Sequence, residues 1–220
     1  MVGASVLSAI YNSGNTEISY PSPTSGYTSI SNSYSISLNP NMGWFISEKT
    51  VAGASLIINP SGNKTSFESG NTTFQRDKEN IFNIGAGGFV RNYFGNSDFM
   101  PFAQAGVNLG ITSIKREGFF YGTGISGPYK SETDGKSDGG FFANGTLSAG
   151  LTKLLNPHTG LDLYVGYIYS TTKHTFKSTT TTDLGPDGNI DFTSIGNETR
   201  KFTNHGFQVG IGFQVFLDPR

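Results

Sequence analysis

The sequence predicts an all-β fold, an eight-stranded antiparallel up-and-down transmembrane β-barrel that takes up residues 1–220 as a single domain. Three observations predict it. Apolar and small polar residues alternate with a period of two through segments of strand length. Charge is almost confined to the stretches between those segments. The stretches themselves alternate between short and long.

The last segment shows the alternation best. Phe207, Val209, Ile211, Phe213 and Val215 fall on one face, and Gly206, Gln208, Gly210, Gly212 and Gln214 on the other. Successive side chains of a strand point to opposite faces, so this strand separates an apolar medium from a tight polar one. The span from Phe207 to Leu217 is about 34 Å along the strand. Tilted by about 40°, it crosses about 26 Å, close to the apolar band of about 25 Å on a membrane barrel.

Taken in order, the segments are Met1–Tyr11, Tyr34–Ile46, Val51–Asn59, Ile81–Phe94, Met100–Ile114, Phe141–Leu155, Leu161–Tyr169 and Asn204–Leu217. The first alternates weakly, and its facing stays open. In the second, Tyr34, Ile36, Leu38, Pro40, Met42 and Trp44 oppose Ser35, Ser37, Asn39, Asn41 and Gly43. The third is short, set between the Ser47–Thr50 turn and Pro60. The fourth carries Arg91. In the fifth, Ala103, Ala105, Val107, Leu109 and Ile111 oppose Gln104, Gly106, Asn108 and Gly110. In the sixth, Phe141, Ala143, Leu147, Ala149 and Leu151 oppose Asn144, Thr146, Ser148 and Gly150. The seventh carries Asp162.

Short turns are expected at Ser47–Thr50, Gly95–Asp98 and Asn156–Gly160, all rich in turn formers. Long loops are expected at Asn12–Ser33, Pro60–Asn80, Lys115–Gly140 and Ser170–Thr203. Short periplasmic turns and long outer loops are the pattern of outer-membrane barrels, and an even strand number places both termini on the periplasmic side. Aromatics mark the expected interfaces: Trp44 and Phe94 by short turns, and Tyr34, Phe82, Phe141, Tyr167, Tyr169 and Phe207 by the long loops.

Charge decides which face is outside. Of 15 basic and 16 acidic residues, the eight segments hold three: Arg91, Lys153 and Asp162. A strand surface in water carries Lys and Glu, partly to block edge pairing. Here the polar face is Gly, Ser, Thr, Asn and Gln, which suits a crowded lumen rather than the outside of a soluble barrel. A net charge of -1 excludes a basic footprint for nucleic acid, and zero cysteines exclude disulfides and thiolate metal sites. No run of about 18–20 apolar residues suggests a membrane helix. The chain opens in strand-like sequence, so it reads as a mature protein with its export signal removed and Met1 added.

Several segments resemble the small outer-membrane β-barrel proteins of the OmpA/OmpX-like porin superfamily of Gram-negative bacteria. Ser35-Ile36-Ser37-Leu38-Asn39-Pro40-Asn41-Met42-Gly43-Trp44 resembles that family's second strand, and Val51-Ala52-Gly53-Ala54-Ser55-Leu56 its third. Gly88-Phe89-Val90-Arg91-Asn92-Tyr93-Phe94 and Pro101-Phe102-Ala103-Gln104-Ala105-Gly106-Val107 resemble the fourth and fifth. The resemblance implies a bacterial outer-membrane location and says little about activity. Such barrels usually end on an aromatic residue; here Phe216 is followed by Leu217-Asp218-Pro219-Arg220.

Few constellations suggest chemistry. Gly122-Thr123-Gly124-Ile125-Ser126-Gly127 fits G-x-G-x-x-G but lacks the strand and helix that motif needs. The stretch Asp183–Asp191 partly matches a calcium loop, yet Gly185 and Ser194 occupy ligand positions, so an Asp-Gly hairpin tip is preferred. His158, His174 and His205 are dispersed, with His205 at the outer end of the last strand. No cofactor, metal or catalytic residue is therefore expected. Arg91 and Asp162 share the lumen parity near short turns and are expected to pair across the lumen, as a structural ion pair or a gate. Gln104, Asn108, Asn144, Gln208 and Gln214 are expected in the lumen, and Phe207, Val209, Ile211, Phe213 and Val215 against lipid. Lys153 falls on the lipid parity beside a turn and is expected to snorkel.

An eight-stranded interior is just wide enough to be filled by side chains, so an open porin channel is not expected. The expected function is non-enzymatic: a structural or interaction role through long outer loops, or that of an accessory subunit. The partners would be outer-membrane lipid and other outer-membrane proteins. A narrow pore or conduit for a small hydrophobic molecule, with Phe119, Phe120 and Tyr121 as loop contacts, is the second class. A lipid-modifying enzyme is the third.

Overall fold

The computed structural model describes residues 27–95, 98–125 and 127–216 in full and the backbone of residues 2–18. The facing of the first strand, Asn96 and Ser97 of one short turn, Ser126 of the glycine-rich stretch, Met1 and the tail Leu217–Arg220 lie outside the fully described residues.

The chain is an all-β, antiparallel, up-and-down sheet. Its strands are β1 (Val2–Ile18), β2 (Tyr27–Phe45), β3 (Thr50–Ser69), β4 (Thr72–Tyr93), β5 (Phe99–Gly124), β6 (Gly127–Asn156), β7 (Thr159–Leu184) and β8 (Phe192–Val215). Each pairs antiparallel with its neighbours in sequence. Four further pairs join Val2–Ser5 of β1 to Val215–Gly212 of β8.

Strand length corrects the expectation from sequence. The stretches Pro60–Asn80, Lys115–Gly140 and Ser170–Thr203, expected as loops, are mostly strand, and the described ends of Asn12–Ser33 belong to β1 and β2; two residues join β3 to β4 and β5 to β6, and seven join β7 to β8. Phe119, Phe120 and Tyr121 thus lie within β5, and His205 lies inside β8 rather than at its outer end. The physical reason is solvent. Beyond the apolar band the outward residues turn polar and charged, as Lys136, Lys173 and Lys177 do, so the apolar–polar alternation of residue type is lost while the backbone ladder continues. Cross-strand hydroxyl pairs support these extensions: Thr133 with Thr180, and Thr175 with Thr199, each at 3.0 Å. The β3–β4 turn is the two-residue Gly70-Asn71. Gly70 has φ +59°, which the first central position of a type II′ turn requires and which only glycine adopts freely.

The apolar residues of the alternating segments face out. Phe207 and Val209 are 90 % and 76 % exposed, and Ile211, Phe213 and Val215 share their face. The opposite face is concave. Small residues bring the strands close there: a Cβ on Gly87 would lie 2.1 Å from the Val107 carbonyl oxygen, and one on Gly53 2.3 Å from that of Met42. The buried apolar core, Val51, Phe89, Tyr93, Met100 and Phe102, lies on this concave face at the short-turn end.

Candidate functional site

The concave face is organised around one buried ion pair. Arg91 on β4 and Asp162 on β7 come from strands that are not neighbours, and the curl of the sheet brings them together. Arg91 Nη1 donates to Asp162 Oδ2 at 2.6 Å. Arg91 Nε donates to Gln104 Oε1 at 2.7 Å, and a second Nη1 contact reaches the Tyr93 hydroxyl at 3.2 Å. The guanidinium also lies over the Phe102 ring, 4.0 Å from its centroid. Asp162 is satisfied from both sides. Thr152 donates to Oδ1 at 2.6 Å, and the Gln214 amide donates to Oδ2. Tyr93 in turn donates to Gln214 Oε1 at 2.9 Å. A buried ion pair is tolerated when its remaining donors and acceptors are matched in this way.

Gln104 and Gln214 thus join the ion pair. Tyr93, Thr152 and Phe102 complete the cluster, and sequence reasoning did not single them out. Their inward parity was available: Tyr93 shares the parity of Arg91 on β4, and Phe102 that of Gln104 on β5. What parity lacks is the register that sets Thr152 opposite Asp162.

Beneath and around the pair, Val51, Phe89, Tyr93, Met100 and Phe102, flanked by Phe45 and Leu154, form an apolar floor. Above it lies a cavity of about 290 Å³ lined by Asn108, Asn144, Gln208 and the ion-pair cluster. The interior is therefore not filled throughout by side chains, which corrects the expectation from strand number. Gly106 and Gly212 line this wall at close quarters: a Cβ there would lie 2.9 Å from Thr146 Oγ1 and 3.3 Å from Asp162 Cβ. Ser55 donates to Asn108 Oδ1 at 2.6 Å, so the amide layer is itself tied to the wall.

Other candidates separate. Lys153 Nζ lies 3.9 Å from Asp98 Oδ2 and 4.1 Å from the Phe99 ring centroid, at the short-turn rim. The Asp183–Asp191 stretch is a hairpin tip whose carboxylates cap backbone. Gly188 N–H donates to Asp183 at 2.9 Å, and Leu184 N–H to Asp191 at 2.6 Å. No cluster of three or more metal-ligating His, Cys, Asp or Glu occurs among the described residues. The histidines stay apart. His158 Nδ1 lies 3.2 Å from the Phe216 carbonyl, and the His205 ring lies beside Tyr167. His174 is buried, stacked on Phe202, and its Nδ1 has no hydrogen-bond partner among the described residues. Burial, and then the nearby Arg200, hold its pKa below the ordinary histidine value.

No protein-family model matches the chain, and no curated protein matches it. Among solved structures it is similar to the outer membrane protein OprG from Pseudomonas aeruginosa, with 13 % identity and a TM-score of 0.36 over 96 % of this chain and 91 % of that one. A likeness that loose bears on neither mechanism nor location.

Proposed function

We propose that the eight strands close into one barrel that crosses a bacterial outer membrane. In this reading the protein is non-enzymatic and acts as a structural or interaction protein. It presents its extended hairpins to partners outside, alone or as an accessory subunit of an outer-membrane assembly. Supporting the membrane are the outward band of large apolar side chains and the near-absence of charge within it. Charged residues on that band would otherwise be expected on a surface in water.

One observation carries the choice of function: the floor formed by Arg91, Asp162, Gln214 and the Val51–Phe89–Tyr93–Met100–Phe102 core. A solute entering the polar cavity meets matched charges backed by close-packed rings. A conducting path would require breaking the ion pair and displacing the aromatics together. The barrel therefore serves as an anchor, and its working surface is outside it.

Planar-bilayer recordings on the reconstituted full chain test this reading. The expected result is insertion without stable unitary conductance. Reproducible conductance steps that change in Arg91→Gln would move the function to transport. Release of free fatty acid from phospholipid vesicles would move it to lipid chemistry.

A further inference from the structure

We propose that a belt of outward-facing lysines on β3–β8 binds the phosphate groups of anionic lipid headgroups in the leaflet beside the long hairpins. The inference rests on the membrane reading above and adds a ligand to it.

The belt consists of Lys64, Lys78, Lys115, Lys136, Lys173 and Lys201, all exposed and on the parity of the apolar outer face. Lys177 joins it on β7. Its members meet in direct cross-strand register: Lys64 with Lys78, Lys115 with Lys136, Lys136 with Lys177, and Lys173 with Lys201. Like charges directly opposite on a sheet are destabilising. A run of such pairs on one face needs an anion to offset it. Glu117 and Asp138 hold Lys115 and Lys177. Lys78 faces Glu117 across β4–β5, and among the described residues Lys64, Lys136, Lys173 and Lys201 have no carboxylate within ion-pair distance.

The placement of the belt identifies the anion. The last large outward residues of the apolar band are Pro60, Phe82, Ile111, Phe141 and Tyr169 on β3 to β7. Lys64, Lys78, Lys115 and Lys173 each lie four positions beyond the band residue of their own strand. Lys136 stands opposite Lys115 as Phe141 stands opposite Ile111. The hydrogen-bond rows slant across a tilted sheet, so the band edge drops relative to them: two positions from β4 to β5, and four from β6 to β7. The lysines drop by the same steps. Lys64, Lys78, Lys115, Lys136 and Lys173 therefore run parallel to the membrane plane rather than along the rows, while Lys201, six positions beyond Phe207, and Lys177, eight beyond Tyr169, stand higher. Four positions are about 14 Å of strand, or about 10 Å of height at a tilt of about 40°. That is headgroup territory, and a lysine stem can lie back along the wall to lower its ammonium into it. Charges lying in this plane face phosphates, not solute.

The test reconstitutes the full chain in phosphatidylcholine vesicles containing phosphatidic acid, or the same lipid with its phosphate removed, diacylglycerol. Lipid retained after detergent extraction is counted by native mass spectrometry. The expected result is retention of the phosphorylated lipid alone. The variant Lys136→Gln/Lys173→Gln/Lys201→Gln should insert equally well into pure phosphatidylcholine yet lose affinity roughly a hundredfold. Equal retention of both lipids, or retention unchanged in the variant, overturns the belt and leaves the membrane reading intact. A chain that stays folded and soluble without detergent and does not insert overturns both.

Discussion

Arg91 and Asp162 lie on strands separated by two others, yet Arg91 Nη1 and Asp162 Oδ2 are 2.6 Å apart, with side chains only 10 % and 3 % exposed. Removing one partner leaves the other buried and alone. Arg91→Met or Asp162→Asn should each cost about 3–5 kcal/mol, and the double variant less than either. Urea unfolding of the detergent-folded protein measures all three. A double variant as unstable as the sum of the singles would mean that the two charges are not coupled.

Depth separates two arginine substitutions on β8. Ile211 lies in the apolar band, and Arg there should cost about 2–4 kcal/mol. Ile195 is 80 % exposed on the extended hairpin, so Arg there should be nearly silent. Equal effects in lipid vesicles would deny that the band meets hydrocarbon.

Glycines on the two faces should respond in opposite ways. At Gly87 a Cβ meets backbone that cannot swing aside, whereas at Gly145 nothing lies within 4 Å. Gly87→Ala should therefore destabilise by about 1–3 kcal/mol, and Gly145→Ala should be neutral. Thermal unfolding of the two variants side by side decides it.

His174 sets a pH dependence. Its folded pKa is depressed, so the unfolded chain binds the proton more readily. Stability should be fully present above the ordinary histidine pKa of about 6.5 and fall as pH drops through the folded value. His174→Phe should flatten that slope in urea titrations across the mildly acidic range. A slope that persists in the variant assigns it to other groups.

The β5–β6 hairpin is not a free loop, because Gly118 pairs with Asp77 of β4 and Asp134 with Thr179 of β7. If the function lies in partner contact, deleting Glu117–Lys136 should leave a folded barrel and abolish binding. The structure adds a local consequence: the upper ends of β4 and β7 lose a ladder. Hydrogen exchange should quicken at Asp77 and Thr179 in the deletion variant and stay slow at Val90 and Val165. Failure to fold at all would place the hairpin in the core.

What could be read from the sequence follows from where the two solvents differ. In β8, from Phe207 to Val215, large apolar residues outside and small polar ones inside write a period of two directly into the sequence. Past His205 the same strand has water on both sides. From Thr203 through Phe202, Lys201 and Arg200 to Thr199 neither face is consistently apolar, so the sequence alone does not mark this stretch as strand. The parity of Arg91 and Asp162 was legible one strand at a time. Thr152 and Gln214 as partners of the carboxylate were not, because pairing across strands depends on register. The apolar floor was hidden for a further reason. Met100 and Phe102 break the expected rule that inward means polar, and that rule holds only where the interior is wet.

The pairing of Val2–Ser5 with Val215–Gly212 has a consequence for biogenesis. Every other strand meets a partner made just before or after it, so hairpins can form as the chain emerges. This seam joins residues from opposite ends of the polypeptide and cannot form until the last segment has been synthesised. Contacts so distant in sequence form slowly. Until then two strand edges stand unpaired, and under the proposed membrane reading each open backbone group in hydrocarbon is costly. If the sheet closes as proposed, closure is a single late event, and a chain cut short before Gly212 would carry six complete hairpin pairings, most of a seventh, and no way to shut.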